Sequence, residues 1–140
     1  MTIHNTLLRN INSLFATTTW TQHGYNTVDS AFTGKIKVDE IGSTGVYKKT
    51  VKVNVMQLDN GLFYNGDVIS GKITCQIFVN KIEGYNAATQ VADNLDVLLK
   101  KKTISGNLQT TNSLIKIIGT DPENKNAFVC NYEVDFNYYN

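Results

Sequence analysis

The stretch from Ala127 to Tyr139 alternates so regularly that it admits one backbone conformation. Phe128, Cys130, Tyr132, Val134, Phe136 and Tyr138 share one parity, and Asn131, Glu133, Asp135 and Asn137 share the other. Successive side chains of a strand point to opposite faces, so the pattern predicts a long β-strand with one face for a core and one for water. A chain that ends in such a strand must supply further strands to pair with it and helices to cover its apolar face.

The helices are visible by their spacing. From Thr2 to Phe15, Ile3, Leu7, Ile11 and Leu14 recur at helical intervals and Leu8 and Phe15 widen the stripe, until Thr17–Thr19 and Trp20 end it. A polar linker through His23, Gly24 and Asn26 follows. A second helix is expected from about Asn86, its candidate cap, to Lys101, after a break at Gly84. Its apolar stripe is Ala88, Val91, Leu95, Leu98 and Leu99, with Asp93, Asn94 and Asp96 expected to face out. The aspartates precede Lys100–Lys102, in the sense that suits the helix dipole.

Alternation also predicts strands over 35–41, 46–58, 71–80 and 112–119. Turn signals are Asp59-Asn60-Gly61, Asn65-Gly66-Asp67 and Asp121-Pro122-Glu123-Asn124. The expected architecture is α+β: one domain over 1–140, a mostly antiparallel β-sheet packed by an N-terminal helix and a second helix, in the order α-β-β-β-α-β-β. At 140 residues the chain is long enough to bury a core without a metal or disulfide. Cys75 and Cys130 each lie on the apolar parity of a strand, and are read as buried, reduced packing thiols rather than a disulfide. Asn5, Arg9, Asn10 and Asn12 interrupt any leader-like apolar run, and no stretch approaches the roughly 20 apolar residues of a membrane span, so a cytosolic product is expected.

Charged residues make up 18%, against roughly 25% in ordinary soluble domains. Asn, Thr, Gln and Ser must carry the polar surface, and such a surface suits close contact between proteins. The net charge of +1 argues against capture of a polyanion. Lys48-Lys49, beside Tyr47, and Lys100–Lys102 are the basic clusters, and the second set sits where a helix C-terminus collects lysines for electrostatic reasons alone.

Residues that could carry chemistry do not converge. His4 and His23 stand outside any ligand spacing, and neither Cys-x-x-Cys nor His-x-x-x-His occurs. A Cys–His nucleophile would need an exposed thiol, which the strand positions of Cys75 and Cys130 disfavour. Glu133 and Asp135 could form an acid–base pair, but a solvated or interfacial strand face explains them better. Gly42 and Gly45 mark turns beside strands and open no phosphate-binding helix. No catalytic, cofactor-binding or metal residues are assigned, and no cofactor is expected. The candidate residues are for contact: Leu62, Phe63 and Tyr64, bracketed by two turn signals, and Tyr138 and Tyr139 at the chain's end. Each set either folds back on the core or grips a neighbour.

The succession of an amphipathic first helix with Leu7-Leu8 and Ile11, the strand Ile73-Thr74-Cys75-Gln76-Ile77-Phe78-Val79, the helix Ala87 to Leu99, and two strands ending in Tyr132-Glu133-Val134-Asp135-Phe136 resembles the tail terminator and head–tail joining proteins of tailed bacteriophages, the lambda gpU-like group. The likeness is one of pattern over nearly the whole chain. It implies a structural, non-enzymatic virion protein made in the host cytoplasm. Such a protein forms a homo-oligomeric ring, commonly a hexamer, on the head-proximal end of the tail tube. The implied partners are the tail tube protein and the neck or connector protein, with DNA passing through the lumen without specific binding and no membrane involved. The polar Thr17–Gly34 linker and the 59–70 loop depart from the shorter relatives. Another phage neck, tail-completion or tail tube subunit is the alternative within this class; a small cytosolic protein-binding module is the alternative outside it.

Overall fold

The computed structural model describes residues 3–29, 49–63, 66–104, 107–120 and 127–139. Six strands form one sheet in the order β1-β2-β3-β6-β5-β4: β1 is Asn26–Asp29, β2 Thr50–Phe63, β3 Gly66–Asn80, β4 Thr103–Ile104, β5 Leu108–Thr120 and β6 Ala127–Tyr139. Five strands run antiparallel to their neighbours, and β1 joins the edge parallel to β2. Three helices accompany them among the described residues: α1 (Ile3–Leu14), α2 (Thr18–Thr21) and α3 (Gly84–Leu99). The fold is α+β with a mostly antiparallel sheet, as the sequence predicts. The strand expected over 35–41 lies outside the described residues.

The final strand spans the bounds that its alternation predicts, and its apolar parity enters the core. Tyr132, Val134 and Phe136 are each 1% exposed. Leu7 and Ile11 of α1, with Phe15 just past it, join the same buried cluster, as do Val91, Leu95 and Leu99 of α3. Burying a side chain of this kind stabilises by roughly 1.5–3 kcal/mol, so the two helices are held chiefly by their stripes. The opposite sheet face is polar and half-exposed, apart from a small apolar cluster of Phe78, Ala127 and Val129 at one end.

Three expectations need correction. Asp59-Asn60-Gly61 is not a turn: the register of β2 on β3 shifts between Gln57 and Asp59, so Leu58 is the extra residue of a bulge and the ladder continues to Phe63↔Gly66. A bulge absorbs one residue without ending the pairing, which lets turn-prone residues stay in a strand. The reversal occurs between Phe63 and Gly66, at the second turn signal, so of the two placements open to this trio, loop or hairpin tip, Leu62 and Phe63 take the hairpin tip, at the end of a strand. Asn86 is not the cap of α3: the helix begins two residues earlier, where Gly84 adopts φ +57° as the chain turns in. Asn94 and Asp96 do not simply face water, because each is half-buried and hydrogen-bonded away from α3, Asn94 to Tyr25 before β1 and Asp96 to Ser113 of β5.

Candidate assembly surface

Of the residues that sequence singles out for contact, Tyr138 turns inward. It is 3% exposed, and the register sets it between Ile69 of β3 and Leu108 of β5 on the helix-covered face. Its parity with Tyr132 and Phe136 fixes this outcome: the last apolar position of a strand whose register is set cannot leave the core face. Tyr139, on the other parity, stays half-exposed, and its N–H donates to the Asn107 carbonyl at 2.9 Å. Leu62 and Phe63 close the β2–β3 hairpin, and Tyr64 lies outside the described residues.

Ile82, Tyr85 and Val97 are exposed around α3, and three further large apolar side chains are exposed on β5. Leu114, Ile117 and Ile118 are 55%, 60% and 55% exposed. Two bulges interrupt this strand. Register shifts between Thr110 and Ser113 and again between Ile117 and Gly119, and Ile118 is the extra residue of the second. Ile117 keeps its register with Cys130 at the uncovered margin of the sheet and Ile118 is the extra residue of the bulge, so two consecutive isoleucines stand at the surface. Gly119 follows with φ +107°, a conformation other residues rarely adopt. The signal was present in the sequence: Leu114-Ile115-Lys116-Ile117-Ile118 is apolar at both parities, which a half-buried strand does not need.

This strand is also an edge for most of its length. β4 pairs only through Thr103↔Gln109 and Ile104↔Leu108, and the backbone of Lys101 and Lys102 bonds Thr111 and Thr110. Among the described residues, no strand pairs with 112–120 on the side away from β6.

Charge beside this edge is compensated locally. On the polar face Lys116 Nζ lies 3.3 Å and Lys72 Nζ 3.8 Å from Glu133 Oε2, and Lys72 also reaches Asp135 at 4.0 Å. Glu133 and Asp135, the candidate acid–base pair, are therefore engaged with lysines. Glu133 Oε2 is buried without a hydrogen bond of good geometry, so its compensation is the ion contacts. On the helix-covered face Asp96 Oδ1 accepts from Tyr132 Oη at 2.7 Å and from Ser113 Oγ at 2.6 Å, tying α3 to β6 and β5. Burial, with the bond to the Asp96 carboxylate adding to it, pushes the Tyr132 phenol well above its ordinary value. Burial likewise raises the thiols of Cys75 and Cys130, both free and buried.

No group of three or more His, Cys, Asp or Glu side chains close enough to hold a metal occurs among the described residues. His23 is exposed and stacks on Tyr25 with ring centroids 5.5 Å apart, beside the buried Trp20. Between α1 and β1 an open groove of about 270 Å³ is lined by Asn12, Phe15, Ala16, Thr27 and Val53, which hold no titratable group. Among the described residues no helix is long and apolar enough to cross a membrane.

No family model matches the chain, and no curated protein matches it. A solved structure of no stated function is similar over 97% of this chain and 92% of its own, with a TM-score of 0.54 and 14% identity. At that identity the likeness is one of fold.

Proposed function

We propose that the chain is a structural subunit of a bacteriophage particle, forming a homo-oligomeric ring at the head-proximal end of the tail tube, where it ends tube growth and joins the tail to the neck or connector. The observation that carries the reading is the β5 edge: a sheet margin with three exposed aliphatic side chains and internally compensated charge. An edge with apolar exposure of this kind favours a protein–protein contact. The resemblance of element order supplies the kind of assembly. The sheet and helices then serve as scaffold and contact surface, and no residue performs a reaction. DNA would pass through the lumen without base-specific contact, in keeping with a net charge of +1.

Assembly in the absence of this chain tests the reading. Particles made without it should yield DNA-filled heads and unjoined tubes of unregulated length, and supplying the chain in trans should restore joined tails of uniform length. Normal joined tails formed without the chain would contradict the proposal.

A further inference from the structure

The pairing registers can be followed from strand to strand across the whole sheet. One row reads Thr27, Val51, Ile77, Cys130, Ile117; the next reads Val28, Lys52, Gln76, Asn131, Lys116. The rows on either side begin at Asn26 and Asp29 and end at Gly119 and Ile115. All of β1 therefore stands at the level of Ile115–Gly119, the part of the far edge that lacks a strand partner among the described residues. β1 itself pairs only with β2 among them. The chain directions also agree, since β1 and β5 run opposite ways through these rows, so a neighbour set beside β5 in the same orientation presents an antiparallel strand.

From this juxtaposition we infer that β1 of one copy of this chain pairs antiparallel with the 115–119 segment of β5 in the next copy, so that the sheet runs continuously from subunit to subunit. The inference deepens the ring reading and rests on it for the closure of the chain of copies. A second copy is favoured over an unrelated strand because a single contact, repeated, satisfies both open edges of every molecule. It is favoured over two-fold pairing of β5 with β5 because that pairing leaves β1 without a partner among the described residues, and in the register centred on Lys116 it also sets two like charges side by side. A lysine on an edge strand ordinarily discourages pairing, but here Glu133 holds Lys116 at 3.3 Å on the polar face. Leu114, Ile117 and Ile118 would then flank the junction and lose their exposure. Strand twist rotates each copy relative to the last, so a head-to-tail contact of this kind closes into a ring or winds into a filament.

Cysteine pairing tests the junction. At high concentration, under mild oxidation, a chain carrying Val28→Cys mixed with one carrying Lys116→Cys should form a disulfide-linked pair, whereas either variant alone should form none. The unaltered chain is the control for buried Cys75 and Cys130, and circular dichroism verifies that both variants fold. Joining both substitutions in one chain should give a ladder of linked species that stops at a closed ring. Linkage of the Lys116→Cys chain to itself would overturn the inference in favour of two-fold pairing, and absence of linkage in the mixture of folded variants would overturn it outright. A ladder that grows without closing would keep the junction and defeat the ring.

Discussion

Asp96 joins three elements through one carboxylate oxygen, and its partners set how the fold answers mutation and pH. Tyr132→Phe keeps the ring packed but removes one hydrogen bond to a charged acceptor, and should cost about 2 kcal/mol in urea unfolding. The Tyr132 phenol is raised on folding, so its contribution is fully present below its ordinary 10.0 and is lost as pH rises above it. Cys75 and Cys130, raised from 9.0 by burial, give the same sign from a lower onset. Stability measured against pH should therefore decline from about 9 upward, and Tyr132→Phe should flatten the part above 10. A decline that begins in the neutral range would contradict this origin. At Cys75, Ala should cost less than Ser, because a buried hydroxyl without a partner adds a desolvation penalty to the lost packing. Both thiols should label slowly until the protein unfolds. The burial of these cysteines was legible from strand parity, whereas the inward turn of Asp96 was not: helical spacing puts it near the polar side, and its two partners come from strands far along the chain.

Elements were legible in proportion to how cleanly one period governs them. β6 keeps strict alternation throughout and α3 keeps a full apolar stripe, so both came within two residues of their bounds. β2 and β5 carry bulges that shift parity mid-strand, which is why one looked like a loop and the other hid its exposed edge. β1 and β4, four and two residues long, are too short to show a period. The backbone at the ends of these elements gives two opposed predictions. Lys101, just past α3, has φ +51°, so Lys101→Gly should relieve left-handed strain and raise stability by about 0.5–1 kcal/mol. Gly119 at the β5 bulge has φ +107°, and no neighbouring atom lies within 4 Å of where a methyl group would sit. Gly119→Ala should therefore cost about 1–2 kcal/mol from backbone strain alone. Thermal unfolding of the two variants should move in opposite directions; a gain for Gly119→Ala would mean that the bulge relaxes.

At the scale of the whole molecule, one sheet face is covered by helices, the other is polar with Glu133 and Asp135 engaged by lysines, and three exposed aliphatic side chains lie along the β5 edge. Composition predicts a weakly charged surface suited to protein contact. The contact candidates in the sequence are the hairpin residues and the chain's end, of which the structure buries Tyr138; which strand lies at the margin of the sheet is decided by tertiary pairing, to which the apolar run Leu114–Ile118 is the one local pointer. In the proposed assembly many copies of this chain close around the tail axis. Cryo-electron microscopy of the intact particle, with the chain located by an N-terminal tag, tests that most directly. The expected map shows a closed ring of copies, six-fold, at the head-proximal end of the tube, with an open lumen along the axis. A single copy per particle, or copies placed away from the axis, would contradict it.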